Sequence, residues 1–226
     1  MALILSLETS TRICSVALHA NKQLITSAEV HVEQAHATRL ASLIKDISRF
    51  AGIEITELNA VAVSSGPGSY TGLRIGVSTA KGLCFALGIP LISVNTLKLM
   101  AFQMSNSVDQ DNLLCPMIDA RRMEVYCLIA DVNLKEIQPI QAKVIDTFSF
   151  KDLLQNKKIT FFGDGASKCK SMIKDAQASF IHNIYPQALA LGAMASEKFD
   201  KGEFEDIVNY EPVYLKEFLV KAPKII

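Results

Sequence analysis

A glycine-rich turn between an apolar run and a helix carries the residue types best suited to chemistry. The turn is Ser65-Gly66-Pro67-Gly68-Ser69-Tyr70, and the predicted helix spans about 71–87. Backbone N–H groups at the start of a helix can hold an anion, so this turn is a candidate phosphate site. Its candidate contacts are Gly68, Ser69 and Thr71. The alternative is that the glycines serve only positive φ angles and close packing.

Other motifs for catalysis or metal binding are incomplete. The turn lacks the Gly-Lys-Ser/Thr of a Walker A loop, and Lys81 comes too late to supply it. His31 and His36 are five residues apart, about 140° on a helix, so they do not share a face. There is no HExxH or G-x-S-x-G motif, and the five cysteines form no CxxC. We expect no metal and no cofactor, although nucleotide binding stays open without a complete motif.

The helix after the glycine-rich turn is apolar around well over half of its circumference. Glycines inside a helix cost roughly 1 kcal/mol each relative to alanine. A row of small residues spaced four apart therefore favours the close approach of another backbone. We predict that this backbone belongs to a partner protein, and the alternative is that only the preceding helix covers the row. The predicted interface residues on this helix are Gly72, Arg74, Gly76, Val77, Ala80 and Lys81.

The preceding helix is amphipathic and is predicted to end at Gly52. Its apolar residues recur at the spacing of one helical face. They are Leu40, Leu43, Ile44, Ile47 and Phe50. The start of this helix is added to the predicted partner interface by a family resemblance, given below, and not by this spacing. The residues concerned are His36, Arg39, Leu40 and Leu43.

The order of predicted elements favours a duplicated α/β fold. The first hundred residues read β-β-β-α-β-α-β and continue into a helix at about 96–104. A polar crossing at 105–112 leads to new strands at 113–119 and 123–130. Two halves that each begin with a strand meander and pass into β-α alternation suggest two lobes. The remaining predicted elements are a strand at 140–146, a helix at 149–155, a strand at 159–162 and helices at 165–175 and 187–199.

Composition argues against a nucleic-acid binder, a membrane protein and a disulfide scaffold. The chain has 23 basic and 23 acidic side chains, so the net charge is zero. Direct binding to nucleic acid requires a basic surplus or a clustered basic patch, and the sequence shows neither. No apolar stretch is long enough to span a membrane, and the first residues predict a strand rather than a signal peptide. We expect a reduced, cytoplasmic protein.

Five segments resemble the TsaB family. The longest has twelve residues and resembles that family's signature (S/R)GPGS(F/Y)TGxRxG. The match is dense through residues 1–100 and thin from 101 to 200. The segments are 4–11 (ILSLETST), 14–18 (CSVAL), 36–40 (HATRL), 65–76 (SGPGSYTGLRIG) and 211–216 (EPVYLK).

The resemblance implies an actin-like (ASKHA, ribonuclease H-like) fold of the glycoprotease family. It implies an N-terminal lobe at 1–104, a smaller C-terminal lobe at 105–186, and a returning helix with a tail at 187–226. It also implies a non-catalytic subunit that binds TsaD, the enzyme for threonylcarbamoylation of the adenosine next to the anticodon of tRNA. The ATPase TsaE would be a further partner, tRNA would be reached through the complex, and the isolated chain would dimerise.

The sequence departs from the catalytic and nucleotide-binding members of that group. Only His36 matches their H-x-x-x-H pair. Nucleotide-binding members carry an acidic residue and then a glycine-rich turn after the first strand. Here Glu8 supplies the acid, but no glycine follows it, so we expect Glu8 to form hydrogen bonds with the adjacent Ser/Thr run. A second turn resembles a phosphate turn of the fold, although Gly-Asp-Gly is also a common turn. That turn consists of Gly163, Asp164 and Gly165.

Three functions therefore compete. The first is the non-catalytic scaffold, favoured by the signature, by the missing histidine pair and by the apolar helix. The second is an enzyme, either metallopeptidase-like or ATP-hydrolysing, and it requires bound metal or ATP turnover by the pure chain. The third is a stand-alone homodimeric binding module, which requires a tight dimer that ignores TsaD.

Overall fold

The computed structural model describes residues 2–32 and 35–216, and these residues form two five-stranded mixed sheets. The first sheet contains β1 to β5 in the order β3-β2-β1-β4-β5. Its strands are β1 (Leu3–Glu8), β2 (Cys14–Ala20), β3 (Gln23–Val30), β4 (Ala60–Ser64) and β5 (Leu91–Val94). β1 to β3 form an antiparallel meander, and β4 and β5 extend the sheet in parallel from β1.

The second sheet repeats this arrangement. Its order is β10-β9-β6-β7-β8, with β6 in the central place that β1 takes in the first sheet. Its strands are β6 (Leu113–Asp119), β7 (Glu124–Ala130), β8 (Glu136–Val144), β9 (Ile159–Phe162) and β10 (Ala178–Ile181). β6 to β8 are antiparallel and β9 and β10 are parallel, so the predicted duplication is confirmed.

Within the described residues, six α-helices cover the sheets. Three belong to the first half of the chain: α1 (Ala35–Ala51), α2 (Tyr70–Leu87) and α3 (Thr96–Met104). The other three are α4 (Lys151–Leu154), α5 (Ala166–Cys169) and α6 (Ala188–Asp200). α1 and α2 pack on one face of the first sheet, and α6 packs on its other face. α3 packs into the apolar core of the second sheet, which makes it the main connection between the lobes.

Two predictions in the second half of the chain are wrong in extent. The helix predicted at 165–175 is only the short α5, and β10 follows it. β10 pairs in parallel with β9 and completes the second sheet, a tertiary contact that short-range periodicity does not contain. The strand predicted at 140–146 is β8, which begins four residues earlier because it pairs along β7.

Phe50 was predicted to face the core, and the structure shows its side chain 75% exposed. On a helical wheel Phe50 lies about 80° from Leu40. The centre of the buried face is held by Leu40, Ile44 and Ile47, which are all at most 4% exposed. Phe50 therefore lies at the edge of this buried face, close to the end of α1 and the turn at Gly52.

α6 packs closely against a buried histidine. A Cβ atom on Gly192 would overlap the imidazole of His19, so glycine is required for α6 to reach the sheet. His19 is 2% exposed, and its Nδ1 has no hydrogen-bond partner within the described residues. Burial lowers the pKa of His19 below its ordinary value. The folded lobe therefore favours the neutral imidazole.

We predict that acid destabilises the protein through its buried histidines. Burial also lowers the pKa of His36. Below about pH 6.5 the unfolded chain binds protons that the folded chain excludes. The free energy of unfolding therefore decreases as the pH is lowered. Urea titrations at several pH values between 7.5 and 5.5 measure this slope. His19→Gln should reduce the slope and His182→Gln, at an exposed position, should not. Equal slopes in all three proteins would contradict the prediction.

Candidate functional site

The glycine-rich turn is pressed against the loop that follows β1. The Ser69 N–H donates to the Ser10 carbonyl (2.6 Å), and the Ser69 hydroxyl accepts from the Gly72 N–H (3.3 Å) and caps α2. A Cβ atom on Gly68 would overlap Ser10. The Gly66–Pro67 peptide bond is cis. The signature turn therefore joins two segments of one lobe.

The glycine row of α2 faces the same loop, which corrects the prediction that it meets a partner. A Cβ atom on Gly72 would overlap the Thr9 carbonyl oxygen, and one on Gly76 would overlap the Thr9 hydroxyl. That hydroxyl donates a 2.8 Å hydrogen bond to the Gly72 carbonyl. The row does admit a close backbone, as its spacing predicted, but the backbone is that of the first lobe itself.

Further predicted interface residues are also interior. Leu40, Val77 and Ala80 are at most 4% exposed because they pack in the core beneath α1 and α2. The His36 Nε2 forms a 2.7 Å hydrogen bond with the Thr11 carbonyl, and the side chain is buried. These residues support the lobe and are not available to a partner, so the prediction is corrected for them too.

Lys81 has an intramolecular role that the sequence did not predict. Its ammonium donates to the carbonyl oxygens of Val208 (3.2 Å) and Tyr210 (3.0 Å). Ile207 and Tyr210 pack against the core of the first lobe. The chain's own tail therefore covers part of α2 where we expected a partner, and it binds the Lys81 ammonium.

An outward face of α1 and α2 remains open. Arg39 and Arg74 are exposed and Leu43 is half-buried, so for these three residues the interface stays a prediction. Phe85 is 83% exposed and Phe50 is 75% exposed. Phe85 lies about 20° from Arg74 on the helical wheel. Phe85 is therefore a large aromatic residue on the same side of α2 as Arg74. This signal in the sequence was missed.

The two predicted phosphate turns meet at a cleft between the lobes with a volume of about 1450 Å³. Gly68, Ser69, Thr71 and Asp164 line it. Gly163 and Gly165 are buried instead, packed against the end of β6.

One amide of each turn is bonded within the protein. The Gly165 N–H donates to the Met117 carbonyl (3.0 Å), as the Ser69 N–H does to Ser10. The Asp164 carboxylate accepts from the Asp119 N–H (3.0 Å), and burial raises the pKa of Asp164. A carboxylate repels a phosphate group, and an N–H that is already bonded within the protein cannot donate to one. Phosphate binding at these turns stays a prediction.

Glu8 is fully buried at the end of β1. Its Oε1 accepts from the Ser10 N–H (2.6 Å) and the Ser10 hydroxyl (2.5 Å), which confirms the expected contact with the Ser/Thr run. Burial raises the pKa of Glu8. The carboxyl group therefore organises the loop that α2 packs against.

Curated relatives share this layout over nearly the whole chain. The protein called tRNA threonylcarbamoyladenosine biosynthesis protein TsaB of Haemophilus influenzae is 35% identical, over 94% of this chain and 93% of its own length. The protein of the same name from Bacillus subtilis is 29% identical, over 94% of this chain and 93% of its own length.

The chain belongs to the TsaB family.

The wider family model described as TsaD, tRNA N6-adenosine threonylcarbamoyltransferase, matches residues 25–203. A Pseudomonas aeruginosa structure described as similar to the peptidase YEAZ has a TM-score of 0.84 and 26% identity, covering 96% of this chain and all of that chain. The ethanolamine utilization protein EutJ of Carboxydothermus hydrogenoformans (TM-score 0.53, 9% identity, covering 85% of this chain and 90% of that chain) shares the fold alone. The predicted duplicated actin-like fold is confirmed.

Two kinds of feature are absent from the described residues. Within residues 2–32 and 35–216, no three His, Cys, Asp or Glu side chains lie together as metal ligands could. In the same part of this TsaB-family chain, no helix is both long and apolar enough to cross a membrane.

We predict opposite effects of alanine at two glycines of α2. Gly76→Ala should destabilise the protein by about 1–3 kcal/mol because its Cβ overlaps Thr9. Gly82→Ala should stabilise it by about 0.5–1 kcal/mol because nothing lies within 4 Å and alanine favours the helix. Thermal and urea unfolding measure both. If Gly76→Ala were as stable as Gly82→Ala, the close contact between α2 and Thr9 would be wrong.

Proposed function

We propose that the chain is a non-catalytic subunit required for threonylcarbamoylation of the adenosine next to the anticodon, in tRNAs that read codons starting with adenine. It binds and organises the catalytic subunit TsaD together with the ATPase TsaE. The names of its full-length relatives support the pathway. tRNA is reached through the complex, which places the protein in the cytoplasm.

The observation that carries this proposal is the outward face of α1 and α2. Phe50 and Phe85 project from the two helices with at least three-quarters of their surface exposed. The Arg49 guanidinium lies over the Phe50 ring, 5.2 Å from its centroid, and Arg74 is exposed on the neighbouring helix. Aromatic and arginine side chains dominate the energetics of protein interfaces. We propose that this face binds TsaD.

The same face would serve the isolated chain as a homodimer contact. An exposed aromatic pair is costly in water, and a second copy covers it when TsaD is absent. Competition between the two complexes follows, since one face cannot bind both partners at once.

The internal contacts of the cleft support a non-catalytic role. Glu8 is bonded to Ser10, and amides of both glycine turns are bonded within their own lobes. These groups stabilise loops inside each lobe, and their hydrogen bonds are already made within the protein. We propose that TsaD supplies the catalytic groups of the complex.

Reconstitution tests the proposal. The purified chain is mixed with cognate TsaD, TsaE and the adenylate-forming enzyme, with ATP, threonine, bicarbonate and unmodified tRNA. Modified adenosine is counted with and without this chain, and the chain alone is assayed for ATP and peptide hydrolysis. Modification that proceeds equally well without the chain, or hydrolysis by the chain alone, would refute the proposal.

We predict that Phe85→Glu weakens binding to TsaD by at least about 2 kcal/mol, or roughly thirtyfold, because it places an unpaired charge in the interface. Folding should be intact because the side chain is exposed. Isothermal titration calorimetry measures the affinity and circular dichroism checks the fold.

The matched control is Phe148→Glu, a 70% exposed aromatic in the second lobe. It carries the same change in size and charge and should bind TsaD like the wild type. Equal losses in both variants would place the interface elsewhere.

A further inference from the structure

The tail after α6 runs back along the first lobe before it reaches the cleft. The Glu205 N–H donates to the Leu91 carbonyl (2.9 Å), and the Ser93 hydroxyl donates to the Glu205 carboxylate (2.5 Å). Lys81 then fixes the carbonyls of Val208 and Tyr210. This path brings residue 211 to the mouth of the cleft in an ordered conformation.

Residues 211–216 continue across the cleft. The Val213 N–H donates to the Ser65 carbonyl (2.8 Å), directly before the glycine-rich turn. A Cβ atom on Gly66 would lie 2.8 Å from the Val213 carbonyl oxygen, so a side chain there would push the tail away. The Tyr214 ring lies 4.9 Å from the Tyr70 ring, measured between centroids. The tail is thus anchored on the first lobe at two adjacent points.

The far end of this segment is anchored on the second lobe. The Lys216 ammonium forms an ion pair with the Glu124 carboxylate at the start of β7. Glu124 is itself held in place, since its carbonyl accepts from Lys168 (2.7 Å), and Lys168 pairs with Asp119. The ion pair of Lys216 therefore connects the tail to a strand of the second sheet.

We propose that residues 211–216 are a latch that holds the two lobes closed over the cleft. The lobes have a second connection in α3, which is apolar and buried in the core of the second sheet. The latch differs because its ion pair is partly exposed, with 39% of the Lys216 side chain in solvent. Partly exposed ion pairs are weak and screened by salt. The latch opens before α3 moves, and α3 acts as the hinge.

Three exposed arginines lie near the latch. Arg12, Arg121 and Arg122 line the same cleft as Val213, Tyr214 and Lys216. The latch therefore sets the relative position of the two lobes that present these guanidinium groups. This inference does not depend on the proposed partner, because every contact in it is intramolecular.

The test measures the distance between the lobes in the full chain. Spin labels are placed on Thr56→Cys in the first lobe and Asn156→Cys in the second, both exposed positions. The five native cysteines are buried, so the labels attach to the engineered thiols. Lys216→Glu, which sets like charges against each other, should broaden the distance distribution and shift it to longer distances. Lys157→Glu carries the same charge change at an exposed turn and should leave the distribution unchanged.

Tyr214→Ala provides an independent variant, since it removes the ring contact and leaves the ion pair intact. It should broaden the same distribution, and in both variants the Val213 amide should exchange with solvent about tenfold faster. Raising the NaCl concentration from about 50 to about 500 mM should shift the wild-type distribution in the same direction. A distribution that stays narrow in both folded variants and at high salt would overturn the latch.

Discussion

The close contact between α2 and the loop after β1 is the constraint on which the first lobe depends. Thr9 and Ser10 occupy the space that side chains at Gly68, Gly72 and Gly76 would need. Only a helix with glycine at positions 72 and 76 can lie this near the loop, and the loss of helix propensity is the cost of that approach. The same loop is held by Glu8, which accepts from the Ser10 N–H, and by His36, which bonds to the Thr11 carbonyl.

This contact also decides which side of α2 faces the protein interior and which side faces outward, a distinction that the sequence alone did not give. The inner side of α2 packs against Thr9 and the core. One flank contacts the returning tail, to which the Lys81 ammonium donates a hydrogen bond. The outward side of α2 contains the exposed Phe85, and Phe50 is exposed on α1. The function that we propose thus rests on the side of α2 that the core and the tail leave exposed.

The cleft between the lobes follows from the duplication. Each sheet ends in a turn that points toward the other, but amides of both turns are bonded within their own lobes. The tail then crosses between them and reaches Glu124 on the second lobe. Part of the chain's own tail, residues 213–216, therefore lines the cleft.

The sequence by itself determined the order of most strands and helices, the duplication, the family and the close approach at the glycine row. These depend on periodicity, on turn residues and on a twelve-residue signature, all of which are local in the chain. It did not determine β10, the exposure of Phe50, or which backbone fills the glycine row. β10 was decided by β9, and the neighbours of α2 were decided by Thr9 and residues 207–216, all near in space but distant in sequence. Phe50 is exposed because the buried face of α1 is centred on Leu40, Ile44 and Ile47. Spacing along one helix shows that a neighbour must come close, and only the tertiary structure decides which neighbour it is.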